Sequence, residues 1–133
     1  MDEPIWLTTD GIRDMHAKLI RRHGGSYGER DEGLIESALA RPRQKWAYAG
    51  EGVDLAELAA AYAFGLAKNH GFVDGNKRIA FMAAYSFLRA NGARLTAPEP
   101  EAYGAILALA AGELSEEDLG RWLRAWLEPT NDG

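Results

Sequence analysis

The chain contains no cysteine. A disulfide framework and thiolate chemistry are therefore excluded, and the absence fits a reducing cytoplasm. No apolar run approaches the roughly 18 residues of a membrane span, and the start, Met-Asp-Glu-Pro, lacks the basic opening of a signal peptide. There is no internal repeat, linker or low-complexity stretch. Positive charge is in deficit: 15 Lys and Arg against 20 Asp and Glu give a net charge of −5, so the chain as a whole is a poor partner for nucleic acid. Histidine is scarce as well, with three in 133 residues. Two of them, His16 and His23, lie seven apart with no carboxylate or thiol at ligand spacing, which argues against a metal site there.

What is present is a large apolar fraction, 47%, enough for one domain over 1–133 with a single core. Its distribution is uneven. From Val53 to Leu66 the only charged residues are Asp54 and Glu57, and from Ile79 to Leu88 there is none. Helices apolar on every side belong at the centre of a domain. Between them stands His70-Gly71-Phe72-Val73-Asp74-Gly75-Asn76-Lys77-Arg78. So many polar and charged groups at the mouth of a core are costly unless they perform chemistry, and this stretch is read as the active site.

The flanks fill in the helices. Thr8, Thr9 or Asp10 caps a first helix bearing Ile12, Met15, Leu19 and Ile20, which ends near His23-Gly24-Gly25. Ile5-Trp6-Leu7 ahead of it is an edge strand or a lead-in. Asp31 caps a second helix, which Pro42 is expected to stop near Arg41. Pro42 to Gly52, with Arg43, Trp46, Tyr48 and two glycines, reads as a partly extended flap; its aromatics either meet a macromolecular partner or cover the core edge. The core helices run from about Asp54 to Asn69 and from about Asn76 to Ala90, closed by Asn91-Gly92. Pro98 and Pro100 open a further helix through Leu109, Ser115 caps the last one, and Pro129 to Gly133 is expected to fray. The expected fold is all-helical with a small extended flap.

The central stretch reads as a phosphate site. A turn that opens a helix presents backbone N–H groups lacking intrahelical partners, and these attract anions. Gly75 permits the turn and a close approach of the phosphate. Arg78 can grip phosphate oxygens with two bonds, whereas Lys77 acts as a point charge. Asp74 is a hard carboxylate suited to Mg²⁺ whose shell phosphates and water complete. His70 is the one side chain of the stretch that takes up a proton near neutrality. Taken singly, each has a plainer explanation: a capping histidine, a common turn, a solvated first helical turn. Their coincidence between two apolar helices favours phosphoryl or nucleotidyl transfer from a Mg-bound nucleotide to a hydroxyl.

His70-x-Phe72-x-Asp74-Gly75-Asn76-Lys77-Arg78 resembles the signature loop of the Fic/Doc family, and its Doc branch in particular. Arg30 to Pro42, His23-Gly24-Gly25 and Arg89-Ala90-Asn91-Gly92 are similar to other stretches of that branch, so the resemblance spans most of the chain. It implies a compact helical bundle around the helix–loop–helix and a toxin of a toxin–antitoxin pair. Members that transfer AMP carry Gly-Asn-Gly-Arg; here Lys77 replaces the second glycine, adding bulk and charge where a phosphate would lie against the backbone. The resemblance thus implies a kinase that moves the γ-phosphate of ATP onto a hydroxyl of elongation factor Tu, with AMP transfer or a catalytically idle antitoxin-binding module as alternatives. On matching positions, His70 is the base, Asp74 holds Mg²⁺, and Gly75, Asn76, Lys77 and Arg78 hold phosphates. Phe72 anchors the loop, and Arg43, Trp46 and Tyr48 contact target or antitoxin. The inhibitory signature of self-restrained relatives, Ser/Thr-x-x-x-Glu-Gly/Asn, is missing: Glu32-Gly33 and Glu51-Gly52 are preceded four residues earlier by Gly28 and Ala47. Restraint is then expected from a separate small antitoxin with a disordered tail.

Overall fold

The computed structural model describes residues 2–130. Six helices, α1 Thr9–His23, α2 Glu32–Ala49, α3 Leu55–Asn69, α4 Asn76–Ala90, α5 Glu99–Ala110 and α6 Glu116–Ala125, are joined by a 3-10 turn at Gly50–Gly52 and two short strands, β1 Ala93–Leu95 and β2 Leu127–Pro129. The fold is all-helical, as the periodicity predicts.

Helix α3 is the axis. Leu58 through Ala63 and Gly65 through Ala67 are all buried, with α2, α4 and α6 packed around them. Small residues allow these helices to approach closely. A Cβ added at Gly65 would come within 2.9 Å of the Ala38 backbone on α2, so the glycine sets the depth of that crossing. At the far end, Tyr62 and Phe87 meet with ring centroids 5.0 Å apart, and Trp6 lies on Phe87 at 6.0 Å. The segment carrying Trp6 is a lead-in: Leu7 N–H donates to the Tyr62 hydroxyl at 3.1 Å, and Ile5 exchanges bonds with the Asn91 side chain at 2.7 and 3.0 Å.

Four helices start on a side-chain cap. Thr8, Asp31, Asp54 and Ser115 accept from backbone N–H groups of the first turns of α1, α2, α3 and α6. Helix α4 begins on Gly75 with no such cap and no acidic residue in its first turn. Its N-terminal N–H groups are left for something other than the chain's own side chains.

The stop at Pro42 and the extended flap are overturned. Helix α2 runs through Pro42 to Ala49, and residues 50–52 form a 3-10 turn. A proline inside a helix costs about 3 kcal/mol, and the surroundings offset it. The Pro42 ring is fully buried, Trp46 packs on the core, and Arg41 and Lys45, one turn apart, both bond Glu116 of α6 at 2.6 Å. The helix ends at Gly50, whose N–H donates to the Trp46 carbonyl and whose φ of 57° suits glycine. The extended structure lies elsewhere: β1 pairs antiparallel with β2, Ala93 opposite Pro129 and Leu95 opposite Leu127. Pro129, expected to fray, is thus a strand residue; residues 131–133 lie outside the described residues.

Helix α6 is also tied to α3 by charge. Arg124 bonds the free oxygen of the capping Asp54 at 2.6 Å. Burial pushes the Asp54 carboxyl up, but Arg124 and the Glu57 N–H pull it down further, so it ends below the ordinary carboxylate range.

Candidate active site

The connection between the two core helices is bonded along its length to the α1–α2 loop. His70 is the C-cap of α3 at φ 52° and ψ 48°, the sole non-glycine residue with positive φ among the described residues. Histidine tolerates this left-handed conformation better than most side chains, and here it turns the chain off the helix and leaves the ring exposed. Gly71 follows, pressed on the start of α2: a Cβ there would meet Ile35 Cγ1 at 2.5 Å. Its carbonyl accepts from the Arg30 and Asp31 N–H groups at 2.7 and 3.1 Å. Phe72 forms an antiparallel bridge with Glu29, and the Val73 N–H donates to the Gly28 carbonyl at 3.1 Å. Arg13 of α1 bonds Glu29 and, at 2.8 Å, Glu32, fastening the supporting segment. The hydrogen bonds to Glu29 and then Glu32 raise the guanidinium pKa above its already high value.

Phe72 is 2% exposed and lies flat on His16 of α1, centroids 3.8 Å apart at 12°. The Asn76 amide grips the Phe72 backbone from the other side, accepting from its N–H at 3.1 Å and donating to its carbonyl at 3.0 Å. That side chain is therefore committed to the loop, which leaves the Asn76 backbone N–H as its group for an anion.

Asp74 is held at both ends. Its carbonyl lies 2.6 Å from His16 Nε2, and its Oδ2 accepts from the Ser26 N–H at 2.8 Å. Gly25, at φ 113°, is the close approach that makes this possible: a Cβ on it would reach Asp74 Cβ and Oδ2 at 3.4 Å. The other carboxylate oxygen bonds no protein group among the described residues, so it is open to a cation. No three His, Cys, Asp or Glu residues gather into a metal cluster among the described residues. A cation here would rest on Asp74, with remaining ligands from phosphate and water, which is how Mg²⁺ is commonly held.

These residues converge on one cavity of about 490 Å³, lined by His70, Asp74, Gly75, Asn76, Lys77 and Arg78 together with Gly24, Gly25 and His23. The first intrahelical bond of α4, from Ile79 N–H to the Gly75 carbonyl, leaves the three N–H groups before it free to face a ligand. The Arg78 guanidinium lies 4.8 Å over the Tyr103 ring, a stack that keeps its charge at the cavity edge. A second cavity of about 470 Å³ adjoins it, sharing Leu19, His23 and Arg78, and is walled by Phe81, Met82, Tyr85, Leu95 and Ala97.

Arg43, Trp46 and Tyr48 line neither cavity. Because α2 continues as a helix, Arg43 stacks over Trp6 at 5.6 Å, Trp46 covers the core edge, and Tyr48, 97% exposed, stands on the surface. Sequence reasoning passed over Gly25, Ser26 and His16 as parts of the site. His16 carries a signal, since it sits one turn after Ile12 and one before Ile20 on the apolar stripe of α1; a polar ring in that place needs a partner.

An open helix N-terminus, a carboxylate with one free oxygen and an imidazole surround one cavity at the turn of a helix–loop–helix, and the chain belongs to the Fic/Doc family. The model of the Fic/DOC family matches residues 6–88, which includes the whole loop. The chain is 36% identical over 118 residues to the protein kinase doc of Escherichia phage P1, covering 89% of this chain and 92% of that one. It is 49% identical over 78 residues to the toxin Doc of Mycolicibacterium smegmatis, covering 56% of this chain and 57% of that one.

Proposed function

We propose that this protein is a Doc-type toxin acting as a Mg²⁺- and ATP-dependent protein kinase, which transfers the γ-phosphate of ATP to a Ser or Thr hydroxyl of elongation factor Tu and so arrests translation. The observation that carries this reading is the uncapped N-terminus of α4, open to the cavity between His70 and Asp74. Both the toxin and the kinase reading draw support from the names of the two relatives.

In this reading His70 takes the proton of the acceptor hydroxyl as its oxygen attacks the γ-phosphorus. The bond from γ-phosphorus to the bridging oxygen breaks, and ADP leaves. The N–H groups of Gly75 and Asn76, with Lys77 and Arg78, hold phosphate oxygens and neutralise the charge that spreads over them in the transition state. Asp74 would hold Mg²⁺, which supplies charge neutralisation and alignment of the phosphates.

The test offers ATP labelled at the α- or the γ-phosphate with purified elongation factor Tu. The γ-label is expected on the target, and Asp74→Ala is expected to weaken Mg·ATP binding in calorimetric titration. Transfer of the α-label instead would replace the kinase reading by AMP transfer. Lys77, in place of a glycine, favours the former by occupying space beside the backbone.

Restraint in this reading comes from a small antitoxin whose disordered tail folds on binding into an amphipathic helix. The second cavity supports its placement: Phe81, Met82, Tyr85 and Leu95 offer an apolar bed directly beside the catalytic one. Expression of the chain alone is expected to arrest growth, and co-expression with such a partner to restore it. A harmless lone chain would sink the unrestrained-toxin reading.

A further inference from the structure

Among the described residues, His16 is the buried polar one, and catalysis as proposed above does not use it. It is 3% exposed, lies behind the loop and lines neither cavity. Its ring makes two contacts with the loop: the flat stack on Phe72 and the bond at 2.6 Å to the Asp74 carbonyl. A carbonyl only accepts, so Nε2 carries the proton and donates.

The direction of that bond matters more than its strength. The peptide unit between Asp74 and Gly75 is trans, as are all those described. In a trans unit the C=O and N–H point in opposite directions. With the Asp74 carbonyl turned inward to His16, the Gly75 N–H faces away from the buried ring, toward the cavity that Gly75 lines. It bonds no protein group among the described residues. Rotation of this one peptide unit would point a carbonyl oxygen at the phosphate site and reverse the sign of its local field. The left-handed Gly75, φ 78°, offers little resistance to such a rotation. The restraint comes from outside the loop.

We infer that His16 is a positioning residue: its Nε2–H, bonded to the Asp74 carbonyl, aims the Gly75 N–H at the phosphate and fixes the backbone from which Asp74 reaches its cation. The inference rests on the phosphate-site reading above. The Ser26 N–H completes the arrangement by holding the Asp74 carboxylate.

The test compares His16→Gln with His16→Met. Both side chains are unbranched, similar in size and well tolerated in helices, and both lose the stack on Phe72. Only glutamine can donate near the place of Nε2. With Mg·AMP-PNP as the probe in calorimetric titration, His16→Met is expected to bind about tenfold more weakly than His16→Gln, the loss of one directing hydrogen bond. Equal affinities for the two variants would overturn the inference. Should neither fold, the parent decides: in ¹H–¹⁵N spectra the Gly75 amide must shift when Mg·AMP-PNP is added, and an unmoved Gly75 overturns the inference without any variant. A parent that does not bind Mg·AMP-PNP at all overturns the functional reading, and this inference with it; a parent that binds while the two variants bind alike overturns only the role of His16.

Discussion

Removal of the His70 imidazole is expected to lower the transfer rate by about 10²–10⁴, the usual value of a general base, with the helical frame retained. The residue is exposed, so little stability is at stake in truncating its side chain. Its backbone is a different matter. At φ 52° an alanine carries a left-handed penalty of about 1 kcal/mol, which a naive comparison would count against catalysis. His70→Asn is the cleaner variant, because asparagine accepts that conformation more readily and cannot act as a base at neutral pH. Both variants should show that loss of rate and should melt within a few degrees of the parent. Phosphorylation at the parent rate by His70→Asn would remove His70 from the mechanism.

The second large effect is expected one residue on. Gly71→Ala puts a methyl group 2.5 Å from Ile35 Cγ1 and 3.1 Å from the Ile35 backbone nitrogen. The side-chain atom can rotate away; the backbone atom cannot. The loop must lift from the start of α2, stretching the bonds from Arg30 and Asp31 to the Gly71 carbonyl. Overpacking of this kind costs about 1–3 kcal/mol in stability. The functional cost is larger, because His70 is the adjacent residue and a shift of about 1 Å in a reacting group can cost 10²-fold in rate. Adding Ile35→Ala makes room and should recover part of the rate even though it removes core contacts. Steady-state kinetics and thermal melting of both variants check this; Gly71→Ala with parental rate and melting temperature would refute it.

Neither Gly71 nor Gly25 stands out in the sequence, since their demand for a hydrogen side chain comes from chain segments 36 and 49 residues away in the cases of Ile35 and Asp74. What the sequence does make legible is whatever rests on local pattern. The limits of α3 and α4 could be read within a residue, because a helix apolar all round has few alternatives and Asn91-Gly92 marks a stop. His70 and the residues from Val73 to Arg78 share a cavity partly because they share a loop. Pro42 misleads for the opposite reason: its local rule is sound, but burial of its own ring and the pairing of Arg41 and Lys45 with Glu116 outweigh it. The β1–β2 pair is three residues a side and joins segments far apart in the chain, so no periodicity announces it. The Asn76 amide could be recognised as polar and near the phosphates, yet its grip on Phe72 shows only when the turn is folded.

The wall of the second cavity has a separate origin from its floor. Phe81, Met82 and Arg78 belong to α4, inside the segment that the family model matches; Leu95, Ala97, Glu99 and Ala102 lie beyond its end at Leu88. That outer wall is moored by the strand pair and by Thr96, whose N–H and hydroxyl both donate to the Trp126 carbonyl at 2.8 Å. The two cavities thus draw unequally on the chain: the one at the loop is lined almost wholly from within residues 6–88, the other partly from beyond them. Substitutions after residue 92 can therefore reshape the second cavity while leaving the loop from His70 to Arg78 and its supports in α1 untouched.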